Sequence, residues 1–140
     1  MIDLLVGQKG LGKTKKLVEL ANERTSKSDG TVVLVAKENN LTFDLAHSVR
    51  LIDIKDYDIG DFMELYGFIC GVCAGNYDVT DILIDSIFEP DKINIDELVS
   101  FIERLARICQ NSDITLTLAV PVVITDLPDR MQSVVALKEH

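Results

Sequence analysis

Near the start of the chain, Gly7-Gln8-Lys9-Gly10-Leu11-Gly12-Lys13-Thr14 fills every fixed position of G-x-x-x-x-G-K-[ST], the phosphate-binding pattern called Walker A. Each fixed position has a physical task. Glycines let the backbone turn tightly and bring its N–H groups up to a phosphate chain. Lys13 reaches β- and γ-phosphates as a point charge, and the Thr14 hydroxyl is a ligand for Mg²⁺. A helix opening here turns its partly positive N-terminus towards the same anions. Gly7 to Thr14, with Lys15 behind them, are the expected contacts to a phosphorylated ligand.

Such a loop works only between a strand and a helix. Ile2-Asp3-Leu4-Leu5-Val6 is a short apolar run that reads as the strand. Leu17, Leu20 and Ala21 recur at helical spacing and leave Lys15, Lys16, Glu19 and Glu23 for solvent. A second acidic element follows downstream. Asp81-Ile82-Leu83-Ile84-Asp85-Ser86 is an apolar strand ending in an acid, the form of a Walker B element. A carboxylate at Asp85 would meet the Mg²⁺ held by Thr14, directly or through water. The alternative is a strand-terminal Asp in an ordinary turn.

The remaining pattern specifies the scaffold. Residues 31–36 read as a buried, β-branched strand and 49–54 as another short one. Residues 41–48 fit either alternation or a short helix. Asp61 and Glu64 have capping-box spacing ahead of a helix with Phe62, Leu65, Ile69 and Cys73 on one face, stopping near Gly75. Beyond Pro90, Leu98, Phe101, Ile102, Leu105 and Ile108 mark a second long amphipathic helix. Residues 114–120 form a strand stopped by Pro121, and the tail from 122 has room for a short strand and a terminal helix. Strands alternating with helices specify an α/β three-layer sandwich with a mostly parallel sheet, in which ligands gather at the carboxyl ends of the strands.

Composition narrows the function classes. The 140 residues suit one domain with one core, here a single nucleotide-binding unit. No apolar run approaches a membrane span and no basic leader opens the chain, so a cytoplasmic location is expected. A net charge of −9 opposes direct nucleic-acid binding, and the one dense basic cluster, residues 9–16, is committed to the phosphate loop. An odd count of three cysteines argues against a disulfide framework. Cys70 and Cys73 form C-x-x-C inside a helical pattern, where they read as packing residues, a redox pair being the minor reading.

With these residues in place, the chain resembles a minimal RecA-type P-loop ATPase. Beyond the loop, Val33-Leu34-Val35-Ala36-Lys37-Glu38 is similar to that family's second strand, and Asp81 to Ser86 to its Asp-Ser element. The resemblance runs from Met1 to about Pro121. It implies ATP and Mg²⁺ as cofactors, and Glu38 as the base that polarises the attacking water. An exposed turn residue is the plain alternative for Glu38, and Glu89 is a weaker candidate base. Ser86 follows the Walker B acid, where other P-loop proteins place a base, and cannot serve as one. The chain departs from the family at Val120-Pro121-Val122, which offers no polar sensor before Thr125. It also lacks the long DNA-binding loops and polymerisation segment of recombinases. Arg50, Arg104, Arg107 and Arg130 are arginine-finger candidates with solvated surface as the plainer reading.

The function this implies is slow or partner-stimulated ATP hydrolysis in a switch or motor component, working with a protein partner or by self-association. A nucleoside-type kinase and a non-hydrolysing nucleotide-dependent scaffold are the alternatives. The absence of a guanine-reading Asn-Lys-x-Asp run leans towards adenine.

Overall fold

The structure is a computed structural model that describes residues 1–140 apart from 9, 11, 38–43, 134–135 and 140, with side chains described up to residue 131. Six strands form one sheet: β1 (Ile2–Val6), β2 (Thr31–Ala36), β3 (Val49–Asp53), β4 (Val79–Ile84), β5 (Thr115–Val120) and β6 (Ala136–Glu139). Their order is β3-β2-β4-β5-β1-β6, and every pairing is parallel. The helices are α1 (Lys13–Lys27), α2 (Phe62–Gly75) and α3 (Ile95–Gln110).

Topology dictates which face each helix covers. The β1–α1–β2 connection travels towards the β3 edge, whereas β3–α2–β4 and β4–α3–β5 travel back. Right-handed crossovers in opposite directions put their helices on opposite faces of a sheet. Accordingly α1 packs over β2 and β4, while α3 packs over β1 and β5 beside α2. The expected three-layer α/β sandwich is present.

The strands sort their side chains by parity. Ile2, Leu4 and Val6 of β1, Ile82 and Ile84 of β4, and Leu116, Leu118 and Val120 of β5 enter the core under α2 and α3. Leu5, Leu83 and Ala119 face the smaller core under α1 with Leu17, Val18 and Ala21. Burial on both faces makes these strands near-continuous apolar runs instead of alternating ones.

Local signals set the ends. Asp61 caps α2 by accepting from the Glu64 N–H at 2.8 Å. Glu64 reaches back one residue further than a reciprocal box would, to the Gly60 N–H at 2.8 Å. β3 stops at Asp53, not Ile54, because the Asp53 carboxylate accepts from the Lys55 N–H and starts a 3₁₀ turn over Ile54–Tyr57. β4 begins two residues before Asp81, at Val79. The tail carries 3₁₀ turns at Ile124–Asp126 and Asp129–Ser133 and then β6, so the expected strand is there. Among the described residues no terminal α-helix follows.

One junction requires glycine. A Cβ on Gly30 would stand 2.1 Å from the Asp78 carbonyl oxygen and 2.7 Å from Thr80 Cγ2. That carbonyl is fixed by accepting from the Thr31 N–H at 2.7 Å, where β2 meets β4. Gly30→Ala is therefore expected to destabilise the fold by about 2 kcal/mol, the scale of overpacking. A urea midpoint lowered with an unchanged slope is the readout, and an unshifted midpoint contradicts it.

Candidate functional site

The phosphate-loop residues sit at the carboxyl end of β1, between that strand and α1. Gly10 and Gly12 have φ of 90° and 85°, left-handed values that a side chain disfavours. Gly12 is also the N-cap of α1, a residue with no side chain of its own to cap the helix. Its first turn holds no acidic residue of its own, and its dipole favours an anion at this end. The Gly7 N–H donates to the Val122 carbonyl at 2.7 Å, tying the loop's entrance to the segment after β5. Lys9 and Leu11 lie outside the described residues.

Lys13 is buried, and its ammonium donates to the carbonyls of Gly7 at 2.6 Å and Gln8 at 2.8 Å. Burial holds its pKa below the ordinary 10.5, while the nearby Asp85 charge works in the opposite direction. An incoming anion would add to the second influence.

Asp85 lies one residue beyond β4, and its N–H donates to the Val35 carbonyl at 2.9 Å, prolonging the ladder. Parity puts position 85 on the α1 face of the sheet, as it does Asp81 and Leu83. Its carboxylate is held at both oxygens. Oδ1 accepts from the Ser86 N–H at 2.7 Å, and Oδ2 accepts from the Thr14 hydroxyl at 2.8 Å. Ser86 in turn donates its hydroxyl to the Ala119 carbonyl at 3.1 Å. Seventy-one positions apart, Thr14 and Asp85 thus meet directly.

This pair fits Mg²⁺. Both donors are hard oxygens, and neighbouring ligands on an octahedral Mg²⁺ stand about 2.9 Å apart, close to the separation of this pair. Among the described residues no cluster of three or more His, Cys, Asp or Glu is present. A cation here would take its other oxygens from phosphate and water.

Around these groups opens a cleft of about 1070 Å³, running along the carboxyl ends of the strands. Gly10, Gly12, Lys13, Thr14, Lys15 and Asp85 line one part, and Lys37, Lys55 and Glu89 border the rest. Pro121 lies on the wall where a polar sensor was sought. Glu38 lies outside the described residues. Three of the four arginine-finger candidates have local side-chain partners. Arg104 stacks 4.0 Å from the Tyr66 ring, Arg130 pairs with Glu103 at 3.5 Å, and Arg50 donates to Asn76 at 3.4 Å. Arg107 is exposed on α3.

Sequence reasoning passed over Arg24. Its guanidinium lies under the sheet, 3.5 Å from Asp3 and 3.7 Å from Asp81, and donates to the Thr117 hydroxyl at 2.5 Å. Asp3 and Thr117 are buried neighbours on β1 and β5. An acid inside each of two apolar strands was the available signal, because buried carboxylates require a cation or hydrogen bonds. Lys37 and Lys55 also escaped notice, since their approach to the cleft depends on strand order. The three cysteines are free; burial pushes the Cys73 and Cys109 thiols up, away from thiolate chemistry.

The fold and site together define an α/β protein in which the described residues of segment 7–14 lie at the carboxyl end of β1, with Thr14 bonded to the strand-end carboxylate of Asp85. No family model and no curated protein matches the chain. Among solved structures it is similar to a chain of "Structure of Drosophila ORC bound to DNA", at 16% identity and a TM-score of 0.43, covering 99% of this chain and 25% of that one. The chain thus spans about a quarter of that protein's length. Among the described residues no helix is long and apolar enough to cross a membrane.

Proposed function

We propose that the chain is an ATP-binding P-loop protein, a slow or partner-stimulated Mg²⁺-dependent ATPase acting as a switch or motor component in the cytoplasm. The observation that carries this reading is the hydrogen bond between Thr14 and Asp85, which closes the phosphate loop onto a strand-end carboxylate at a nucleotide-sized cleft. In this reading Lys13 and the opening turn of α1 hold the β- and γ-phosphates. Thr14 and Asp85 hold Mg²⁺, whose chemistry is to neutralise charge on the transferring phosphoryl group. Glu38, following β2, is the proposed base. Three free thiols suit a reducing compartment, and the net charge of −9 favours a protein over a nucleic acid as partner.

Room beside Lys37 and Lys55 supports a second reading, phosphoryl transfer to a small acceptor such as a nucleoside.

Calorimetric titration with ATP, GTP and ADP, with and without Mg²⁺, tests the proposal. ATP is expected to bind more tightly with Mg²⁺, and Asp85→Ala to erase most of that increment, about tenfold in affinity. Phosphate release from ATP in the same samples is expected to fall with Glu38→Gln. A wild-type protein that binds no nucleotide in any condition refutes the proposal, and phosphate appearing on added nucleosides selects the second reading.

A further inference from the structure

Helix α2 differs from the other two helices on the side that faces solvent. α1 shows Lys15, Glu19, Glu23 and Lys27 there, and α3 shows Asp96, Glu97, Arg107 and Gln110. After Glu64, α2 carries no charged residue to its end at Gly75. Besides Glu64, its exposed positions are Met63, Gly67, Gly71, Ala74 and Gly75, with Met63 65% exposed. A helix apolar on all sides is ordinarily buried on all sides. Among the described residues the large exposed apolar side chains are Met1, Tyr57, Met63 and Tyr77, and three of these four adjoin α2. Tyr57 lies 5.5 Å from the Phe68 ring, and Tyr77 follows the helix by two residues.

The face also has a floor and a charged end. A Cβ placed on Gly67 or Gly71 would meet nothing within 4 Å, so another backbone can approach closely. Beside Met63 a groove of about 300 Å³ runs between α2 and α3, floored by Phe62 and Phe101. Asp61, Asp96 and Glu97 border it, and Glu64 lies on the next turn. Among the described residues none of these four carboxylates is in an ion pair, whereas the one cation of the groove, Arg104, is engaged by Tyr66 and the Met63 sulfur. Two of the four, Asp61 and Glu64, are hydrogen-bonded to backbone N–H groups. An apolar strip ending in carboxylates that are in no ion pair among the described residues complements a helix with one apolar face and lysines or arginines beside it. A second copy of this chain would bring the same carboxylates and a further −9 of charge.

We propose that the solvent face of α2 and the adjoining α2/α3 groove form a docking site for a cationic amphipathic helix of a partner protein. The proposal stands apart from the nucleotide reading, and its test needs no nucleotide. Three synthetic peptides serve as probes: a leucine/lysine sequence with its leucines on one helical face, a scrambled isomer, and a leucine/glutamate analogue. Binding is followed by fluorescence anisotropy at physiological salt, using wild type and the double variant Gly67→Gln/Gly71→Gln. Glutamine at these open helical positions raises helix propensity, so the variant is expected to melt no lower than wild type while covering the face. The amphipathic lysine peptide alone is expected to bind, and the variant to weaken it about tenfold. Equal binding of the scrambled or glutamate peptide, undiminished binding to the variant, or a wild-type dimer dispersed by the same substitutions each overturns the proposal.

Discussion

Lys13→Met is expected to leave the protein folded and to abolish its stabilisation by ATP and Mg²⁺. At a ligand concentration about a hundredfold above Kd, the wild-type protein should gain about 2.7 kcal/mol. For a domain of this size that raises the melting temperature by about 5–10 °C. Methionine keeps most of the lysine's length and its place among the loop carbonyls but removes the charge that meets the phosphates. The ligand-free variant loses the hydrogen bonds to the Gly7 and Gln8 carbonyls but also a buried charge, and is expected to melt within about 5 °C of wild type. Burial holds the Lys13 pKa below 10.5, so the folded chain binds this proton less tightly than the unfolded chain does. Stability contributed by this group therefore rises as pH climbs towards 10.5 and is smallest at neutral pH. Methionine is expected to remove that slope. A differential scanning series with and without ligand, repeated across pH, checks both parts, and a full ligand-induced shift in the variant refutes the role given to Lys13.

Arg24→Met should be the most destabilising of the substitutions considered. It leaves Asp3 and Asp81 beneath the sheet with no cation between them and deprives the buried Thr117 hydroxyl of its donor. Removing one partner of a buried ion pair typically costs about 3–5 kcal/mol. The guanidinium keeps partial solvent access, which lowers the expectation to about 2–4 kcal/mol, or a melting temperature lower by about 10 °C. A double-mutant cycle with Asp81→Asn isolates the electrostatic part. If the carboxylates are the cause, adding Asp81→Asn to Arg24→Met recovers part of the loss. Simple additivity of the two losses means the arginine acts through packing alone.

The alternation of elements was legible because strands buried on both faces are continuous apolar runs and helices carry stripes. β1, β2 and the three helices lie where periodicity puts them, with α2 starting at the expected cap, and β5 starts one residue later than expected, at Thr115. Walker A was legible for a different reason, since its chemistry needs particular residue types at fixed spacing along one stretch of chain. Asp85 was readable as a strand-end acid that would meet Thr14 at a shared cation, whereas the strand order that brings the two together, with β5 between β1 and β4, was not. The same holds for Arg24, whose two carboxylates come from strands seventy-eight positions apart, Asp3 and Asp81. Strand order is a long-range property, and periodicity carries no record of it. In the tail the short strand was legible, but the 3₁₀ turns before it were not, because turns this short have no extended apolar stripe to reveal them.

Arg24 has a meaning beyond stability. α1 begins at the phosphate loop, where Thr14 is fastened to the end of β4, and about three turns later Arg24 fastens it again to β4 and to β1. The three elements that hold the candidate site therefore make a braced triangle, joined near both ends. The Arg24 end of the triangle is tied by ion pairs on the side of the sheet away from the cleft's loop. The Thr14 end is tied by a hydrogen bond that an arriving Mg²⁺ would replace with its own coordination. The β2 and β3 side of the sheet, where Lys37 and Lys55 border the cleft, lies outside this brace.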